Sequence, residues 1–547
     1  MKKKLSIVLC AVLALCMLFS ACGNGGGGNK SNNQSASGSN PAASTPDKPE
    51  PSGGMDIVES TGDTTFDRKT EEGSFVYGSP EEPESLDPTV NKLVAGWSIS
   101  SCVYDNILKM DADTGEIECV AAESYEFLDD GTLVVKLRDG LTFSNGTKAT
   151  SDDILFTLER LAVSSRFSTN YECVDFEKTT CPDDKTIEIR FKYTYAPFMA
   201  YFCHPAAALM SRAYFEEVGE DEFGRKPIGT GAYIFESWNA GDRIVLKRNE
   251  NYWGEKPEVE TIVMRFILEA TTRFIEFETG GVDAVGDLSS NDIDRMKNGE
   301  IGNATLYTCR GENVSVLEMF KGYEPLANKD VRLAIAHAVD WEALVETVYG
   351  NAGFMADSIV PPDCLYYKSI GVYEYDPELS KQLLADAGYA SGLTLTTYVY
   401  AGTEEEACEI IQSYLKDVGV NMEIEIVDVG TMIGKQVSGE CNFGLSNSTC
   451  TARDPDQAIS SSKMSSDYGI ARINDQTLQD MYDAGSVETD AAKRQKIYED
   501  MAQYYFDECI RIPVRVNVVS YAVRDYVDYF PAHSSNIIDF ASITFKK

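Results

Sequence analysis

The chain has 547 residues, of which 43% are hydrophobic and 25% charged, a composition typical of a globular protein with roughly two to four domains. Its formal charge of −39 makes nucleic acid a poor partner, because an acidic surface repels phosphate. The three histidines lie far apart in sequence, and no two cysteines form a C-x-x-C pair. These features argue against the usual zinc, redox and histidine-base sites, so we expect no metal, no cofactor and no catalysis.

The first residues have the pattern of an export signal. Met1 to Lys4 is basic, Leu5 to Phe19 is apolar, and Leu18-Phe19-Ser20-Ala21-Cys22 resembles a bacterial lipobox. We expect residues 1–21 to be removed and Cys22 to carry a diacylglycerol anchor, with an ordinary signal peptide cut nearby as the alternative. The protein is then exported and held by this lipid at the outer face of the cell membrane, or in the periplasm.

Residues 22–72 are predicted to be a tether. Beyond Cys22 they are rich in Gly, Asn, Ser, Pro and Thr and have almost no large apolar side chains, so they bury too little surface to fold. A flexible chain of this length has a root-mean-square reach of about 40 Å. Such a tether confines a globular body to the membrane surface while keeping it clear of the headgroups.

The first elements of the body mix strands and helices. Asp111 to Glu116 resembles the start of a calcium-binding loop, but glycine stands at the third ligand position and no glutamate at the twelfth, so a hairpin turn is predicted. Leu133 to Leu137 and Thr186 to Tyr193 alternate apolar and polar residues, which predicts two strands. Between them, Thr150 followed by Asp153 predicts a helix that begins with a capping box.

The segment Pro227 to Tyr233 contains two glycines but lacks the third glycine of a dinucleotide fingerprint. It also precedes a predicted strand rather than a helix, which argues against a Rossmann site. Gly229 and Gly231 are better explained by close backbone packing or unusual dihedral angles at a domain crossover.

The second half of the chain carries several helix patterns and one βαβ pattern. Helices are predicted from Val331 to Ala338, from Asp340 to Gly350 and from Asp376 to Gly388, with Asp340 as the cap of the second and Pro377 at the first helical position of the third. A strand at Thr394 to Tyr400, a helix at Glu404 to Val418 and a strand at Asn421 to Val427 then form the βαβ unit. The predicted class is α/β with mixed sheets.

Eleven of the fourteen cysteines lie beyond Cys22, and an odd number cannot all pair within one chain. Cys173 with Cys181, and Cys441 with Cys450, are close enough in sequence to close small loops. Buried free thiols are the equal alternative.

Five blocks of sequence, in order along the chain, together resemble the extracellular solute-binding proteins of family 5, which are the oligopeptide, dipeptide and nickel receptors of ABC importers. These blocks are Ser85-Leu86-Asp87-Pro88, Ile228 to Tyr233, Arg248 to Gly254, Asn328 to Asp340 and Tyr375 to Tyr389. The resemblance implies a cluster C periplasmic-binding-protein-like fold with two lobes, mixed sheets, a hinge and an extra inserted domain. Lobe I is then formed by residues 73–115, 225–315 and 518–547, the inserted domain II by 116–224, and lobe III by 316–517. Closure of the lobes on a ligand shifts a pre-existing equilibrium.

The resemblance also implies where the ligand is held. In peptide-binding members an aspartate four residues before a proline is expected to pair with the ligand's amino group. The matching stretch here contains Thr449, Cys450, Thr451, Arg453 and Asp454, with Thr451 in the place of the aspartate. A hydroxyl brings no charge to compensate a buried ammonium, so capture of a free peptide N-terminus is in doubt.

Three interpretations of this stretch stay open. Asp454 supplies the missing carboxylate after a local shift, or Arg453 points inward and favours an anionic group. In the third interpretation Arg453 faces solvent, and Asp454 with Pro455 only shapes a turn.

On the facing lobe, Val94, Ala95, Gly96 and Trp97 line the cleft by family position. Trp97 is either a stacking platform for the ligand or part of the core. His337 shares a helix face with two alanines, so we expect it to be packed rather than to bind a metal.

The implied function is that of a non-enzymatic, monomeric lipoprotein that captures a small solute, an oligopeptide or dipeptide before others, and passes it to ABC permease and ATPase subunits. A metal chelate or an oligosaccharide is the alternative ligand, which Thr451 keeps open. A surface-tethered hydrolase and a co-receptor that has lost its ligand are the alternatives from other classes, although no G-x-S-x-G motif is present.

Overall fold

The computed structural model describes residues 55–59, 70–111, 114–400, 402–438, 440–441, 443–459 and 475–546. The predicted leader, the predicted lipidation site Cys22 and most of the predicted tether lie outside these residues. No helix within the described ranges is long and apolar enough to span a membrane.

The described residues form 19 strands, which in chain order are β1 Asp56–Glu59, β2 Ser74–Ser79, β3 Leu108–Met110, β4 Ile117–Cys119, β5 Ala122–Phe127, β6 Leu133–Leu137, β7 Thr186–Ile189, β8 Tyr233–Asn239, β9 Arg243–Arg248, β10 Thr261–Phe266, β11 Ala284–Gly286, β12 Ala304–Met319, β13 Gly353–Met355, β14 Leu393–Val399, β15 Val420–Ile426, β16 Phe443–Thr449, β17 Arg511–Arg524, β18 Val527–Tyr529 and β19 Thr544–Phe545. The helices of the described residues are α1 Val94–Val103, α2 Ser151–Val163, α3 Ser168–Tyr171, α4 Phe198–Phe202, α5 Arg212–Arg225, α6 Ala270–Glu278, α7 Ser290–Lys297, α8 Glu324–Ala327, α9 Lys329–Ala338, α10 Trp341–Val348, α11 Pro377–Asp386, α12 Thr403–Asp417, α13 Val429–Ser438, α14 Pro455–Ile459, α15 Gln476–Val487 and α16 Ala491–Asp507.

A mixed sheet of ten strands forms the centre of the molecule. Its main path runs β1-β12-β17-β11-β2-β10-β9-β8, with β16 also paired to β12 and β13 to β17. Strand β2 is parallel to β10 and β11, whereas β12 and β17 are antiparallel along most of their length. These two long strands therefore extend through both predicted lobes, I and III, and connect them.

The pairing of β12 with β17 shifts register between Arg310 and Val314. A Cβ atom on Gly311 would lie 2.4 Å from the side-chain oxygen of Asn517, so a larger residue here would displace the Asn517 amide. The backbone N–H of Asn313 donates to that same oxygen at 3.0 Å. The resulting bulge places Glu312 at the point where the two crossing strands bend.

Several predicted elements are confirmed. The capping box is present at the start of α2, where the backbone N–H of Thr150 donates to Asp153 at 2.8 Å. Strands β14 and β15 are parallel and are connected by α12, as the βαβ pattern predicts. Strands β3 and β4 form the predicted hairpin around Asp111 to Glu116.

Gly229 has the packing role predicted for it, and Trp253, which is 37% exposed, is held in place by a hydrogen bond. A Cβ atom on Gly229 would lie 2.0 Å from the carbonyl oxygen of Val103, which confirms close backbone packing. The indole N–H of Trp253 donates to buried Asp105 at 2.7 Å. Burial raises the pKa of Asp105, and the hydrogen bonds that it accepts oppose that rise.

Three features differ from expectation. Composition placed residues 56–59 in the tether, but they form β1. This short segment contains Ile57 and Val58 and pairs antiparallel with the edge of β12. Strand β7 ends at Ile189, and Phe191 forms only an isolated bridge with Val174. The third difference is the disulfide pairing described next.

Cys450 forms a disulfide with Cys364, 86 residues earlier in the chain, and the suggested pairing with Cys441 is wrong. Cys441 is a buried free thiol, and Cys173 and Cys181 are free as well. The short sequence separation of the suggested pairs was misleading, because a disulfide depends on the meeting of Cβ atoms across the fold.

Candidate ligand-binding site

Helix α1 brings Val94, Ala95, Gly96 and Trp97 to one place. The backbone N–H of Ala95 donates to Glu81 at 2.9 Å, which satisfies one group at the helix N-terminus. Val94 is partly exposed, whereas Ala95, Gly96 and Trp97 are buried. The first turn of α1 is therefore held rigidly against its surroundings.

The Trp97 ring is 1% exposed and lies in a hydrophobic cluster with Ala452 of the opposite segment. The imidazole of His204 and the Trp97 ring pack edge to face, with 5.0 Å between their centroids. The guanidinium of Arg166 lies 4.7 Å from the centre of the Trp97 ring. Its indole nitrogen has no hydrogen-bond partner among the described residues. In this conformation Trp97 belongs to the core.

Thr451 takes part in a neutral hydrogen-bond network. The backbone N–H of Ala206 donates to Nδ1 of His204 at 3.1 Å, so the proton resides on Nε2, which lies 3.2 Å from the Thr451 hydroxyl. The side-chain amide of Gln457 donates to the same hydroxyl at 3.0 Å. Since a hydroxyl oxygen has two lone pairs, Thr451 has none left for a ligand ammonium in this conformation.

Burial lowers the pKa of His204 to about 3, and the positive charge of Arg166 acts in the same direction. The unfolded histidine binds a proton below pH 6.5, whereas the folded one stays neutral, so the stability that His204 contributes is lost as the pH falls. We expect the free energy of unfolding to lose about 1.4 kcal/mol per pH unit between pH 6 and pH 4 from this residue. Urea unfolding across that range, compared for the wild type and His204→Gln, measures the effect. Identical slopes for the two proteins would contradict it.

Asp454 is not available to a ligand in this conformation. It is 2% exposed, and Arg494 of α16 donates to both of its carboxylate oxygens, at 2.6 and 2.8 Å. Asp456, two residues on, is fully buried and accepts hydrogen bonds from the hydroxyls of Tyr195 and Tyr201 at 2.8 and 3.2 Å. Both carboxylates therefore hold the structure together.

Arg453 lies between these groups with a left-handed backbone, φ 58°. That conformation disfavours any residue with a Cβ atom, and it persists only where the surroundings hold it. Here the Arg453 carbonyl accepts the backbone N–H of Leu365 at 2.9 Å, next to the disulfide between Cys364 and Cys450. Thr449 donates to Asn313 at 2.5 Å, and the Cys450 N–H donates to the Glu312 carbonyl at 3.0 Å. The loop is thus attached to the bulge of β12.

A cavity of about 1040 Å³ opens beside this loop. Its walls come from β1, from β12, from the loop at 361–367, from Arg453 and from the C-terminal segment 528–539. By prediction β1 belongs to the tether, and the lining residues of β12 and of the C-terminal segment belong to lobe I. The loop at 361–367 and Arg453 belong by prediction to lobe III. Five aromatic side chains line it: Tyr307, Tyr366, Tyr367, Tyr529 and Phe530.

The cavity also has charged walls. Asp363, Asp528, Asp539 and Arg453 all line this space. Among the nine predicted ligand residues, Arg453 lines this cavity, whereas Trp97 and Ala95 lie in two hydrophobic core clusters. In the described part of the chain no group of three or more His, Cys, Asp or Glu side chains is arranged to hold a metal ion.

Sequence reasoning missed three residues of this region: His204, Glu312 and Asp363. A signal for Glu312 was present, because it shares the alternating face of β12 with the buried Val314 and Val316. A carboxylate on a buried strand face needs a partner or a proton. No comparable pattern marked His204 or Asp363.

Comparisons with known proteins agree with this architecture. A family model described as bacterial extracellular solute-binding proteins, family 5 Middle, matches residues 116–469. The glutathione-binding protein GsiB of Escherichia coli K12 is 26% identical over 475 residues, covering 83% of this chain and 89% of GsiB.

Two solved structures show the same fold. NikA from Brucella suis in complex with Fe(III)-EDTA superposes with a TM-score of 0.78 at 23% identity, covering 86% of this chain and 100% of NikA. DppA from Helicobacter pylori in complex with the peptide STSA gives 0.76 at 22% identity, covering 87% and 98%. These likenesses confirm the predicted α/β periplasmic-binding-protein-like fold. With the family match over most of its length, the chain belongs to family 5 of the bacterial extracellular solute-binding proteins.

Proposed function

We propose that this protein is the receptor of an ABC importer for a short peptide, an oligopeptide or a dipeptide, which it binds in the cavity between the predicted lobes I and III. The single observation that carries the proposal is the cavity itself, whose volume of about 1040 Å³ lies at the upper end of ordinary ligand pockets. Such a volume accommodates several amino-acid residues.

The chemistry of the cavity walls supports a peptide ligand. Aromatic rings offer apolar surface to side chains, and backbone groups need polar partners at fixed positions. The cavity also presents both charges, since Arg453 suits a carboxylate and Asp363 suits an ammonium group. A zwitterionic peptide has both charged ends. The DppA complex with STSA shows that this fold binds a peptide in a relative.

The rest of the proposal concerns where and how the protein acts. Residues 1–21 form a signal peptide, and Cys22 carries the lipid that holds the protein at the membrane. Lobe I, the inserted domain II and lobe III have the boundaries predicted from the sequence. The protein acts as a monomer, releases the peptide unchanged to a permease pair and draws on two ATPase subunits for transport.

The test of this proposal is the identity of the bound solute. We expect purified full-length protein to release peptides of a few residues on denaturation, detected by mass spectrometry. Arg453→Gln is expected to weaken binding of the released peptide by roughly 10-fold to 100-fold in calorimetry, the value of a charge-assisted hydrogen bond. Arg310→Gln, an exposed arginine on the same strand as the cavity wall, is the matched control and leaves affinity unchanged. Release of a carbohydrate or a metal chelate with no peptide contradicts the proposal.

A metal chelate is the second candidate ligand. The observation in its favour is the neutral network around Thr451, which leaves no carboxylate for a peptide N-terminus at that position. The NikA complex with Fe(III)-EDTA shows that a protein of this fold holds a chelate. Metal analysis of the purified protein distinguishes the two candidates.

A further inference from the structure

Glu312 is a buried carboxyl group in the bulge where the two crossing strands bend. Its side chain is 3% exposed, and its Oε2 atom has no hydrogen-bond partner among the described residues. Glu318, on the same strand face, is just as buried but forms an ion pair with Arg511 of β17. The Oε2 atom of Glu318 also lacks a hydrogen-bond partner among the described residues, so the two carboxyl groups differ in their surroundings: Glu318 is paired with an arginine, whereas Glu312 lies near the cavity.

The groups that act on Glu312 come from every element packed around it. Asp363 of the 361–367 loop and Arg453 of the loop after β16 exert charge, Ser534 of the C-terminal segment offers a hydrogen bond, and Cys309 lies on the same strand. All four of these neighbours line the cavity. Burial, with a contribution from Asp363, raises the pKa of Glu312 to about 8 against the opposing effect of Arg453. At neutral pH the empty protein thus holds a protonated carboxyl group behind the cavity wall.

We propose that Glu312 is the anchor for a positively charged amino group of the solute, which enters the cavity beside Asp363 and Ser534 and pairs with the ionised Glu312. This proposal rests on the proposed function, because it names the feature of the peptide that the site selects. Binding then displaces the Glu312 proton to solvent and leaves a carboxylate paired with an ammonium group. The positive charge of the ligand offsets the energetic cost of ionising Glu312 in its buried position.

The other acidic groups near the loop are already engaged. Asp454 is held by Arg494, and Asp456 accepts hydrogen bonds from two tyrosines. The Thr451 hydroxyl accepts from His204 and Gln457. The acidic side chains that line the cavity itself are Asp363, Asp528 and Asp539, and Glu312 lies buried behind the wall beside Asp363.

The test uses the full-length protein and a synthetic tripeptide mixture, offered with free and with acetylated N-termini and quantified by mass spectrometry after equilibrium dialysis. We expect the wild type to retain free-amine peptides at least tenfold over the acetylated ones. Retention is expected to rise about tenfold between pH 6 and pH 7, as the ionised fraction of a group with a pKa of about 8 does. Glu312→Gln removes both the preference and the pH dependence. Asp363→Asn moves the midpoint of the pH dependence to lower pH, because it removes the neighbouring negative charge.

Glu378→Gln is the matched control, since Glu378 is an exposed carboxylate on α11, outside the lining of the cavity. It keeps both the preference and the pH dependence of the wild type. If the wild type retains acetylated and free peptides equally, or if Glu312→Gln keeps the preference, the anchor is overturned while the peptide receptor stands. If the wild type retains no peptide in either form, the proposed function falls and the anchor falls with it.

Discussion

Replacing Asp454 with alanine is expected to lower the free energy of unfolding by about 3–5 kcal/mol, because the change leaves the Arg494 guanidinium buried and uncompensated. Both side chains are nearly inaccessible, at 6% and 3% exposure. Arg494 also donates to the carbonyl of Gly485 at 3.0 Å, so it is confined between α15 and α16. Hydrogen bonds and charge from Asp454 raise the pKa of Arg494 against the effect of burial. A guanidinium has so high an intrinsic pKa that it stays charged when its partner is removed. Chemical unfolding followed by fluorescence measures the loss.

The control for Asp454→Ala lies on α16, the helix that carries Arg494. Lys496 and Asp500 form an exposed ion pair one turn apart, and Asp500→Ala is expected to change stability by no more than about 0.5 kcal/mol. Removing both charges of the buried pair, in Arg494→Met with Asp454→Leu, is expected to recover much of the loss, since no isolated charge then remains. Equal losses for Asp454→Ala and Asp500→Ala would contradict a dominant role for the buried pair.

Replacing Cys364 and Cys450 together with serine is expected to cost about 2–5 kcal/mol of stability. The disulfide closes a loop of 86 residues, and in the chain-entropy account a long closed loop restricts the unfolded state most. It also joins two walls of the candidate site, the loop at 361–367 and the loop of Thr451 and Arg453. The variant is therefore expected to bind its solute more weakly as well. Chemical unfolding and calorimetry with the released peptide measure the two effects.

Cys119→Ser is the control for the disulfide variant, because Cys119 is a partly exposed free thiol. It is expected to change stability by less than about 1 kcal/mol. Adding reductant is expected to bring the wild type to the level of the double variant and to leave that variant unchanged. A wild type that is insensitive to reductant contradicts the prediction. Disulfides persist in oxidising compartments, so this bond agrees with the export signal predicted from the sequence.

The neutral network around Thr451 changes how the family pattern applies to this chain. The sequence shows that a threonine replaces an expected aspartate, but not whether another carboxylate compensates. The structure shows that the nearest candidate, Asp454, is fully engaged with Arg494. In our proposal, therefore, the buried carboxyl of Glu312 on β12 binds the ligand's amino group, and the loop of Thr451 does not.

Local patterns predicted the elements whose signals lie within a few residues. The capping box of α2, the β14-α12-β15 unit and the hairpin between β3 and β4 all follow from periodicity and turn chemistry. The family resemblance rested on blocks of the same local kind, and the comparisons confirm it. These features were readable because each depends on neighbours in sequence.

By itself, the sequence determined the α/β class, the family and the position of the unusual threonine. It did not determine which groups that threonine, Asp454 and Cys450 contact. Those contacts join residues from 40 to 247 positions apart and depend on how the elements pack. Only the tertiary structure placed Arg494 on Asp454, His204 on Thr451 and the bulge of Glu312 behind the cavity. The physical reason is that burial and charge pairing arise from distances between distant segments, which no local periodicity encodes.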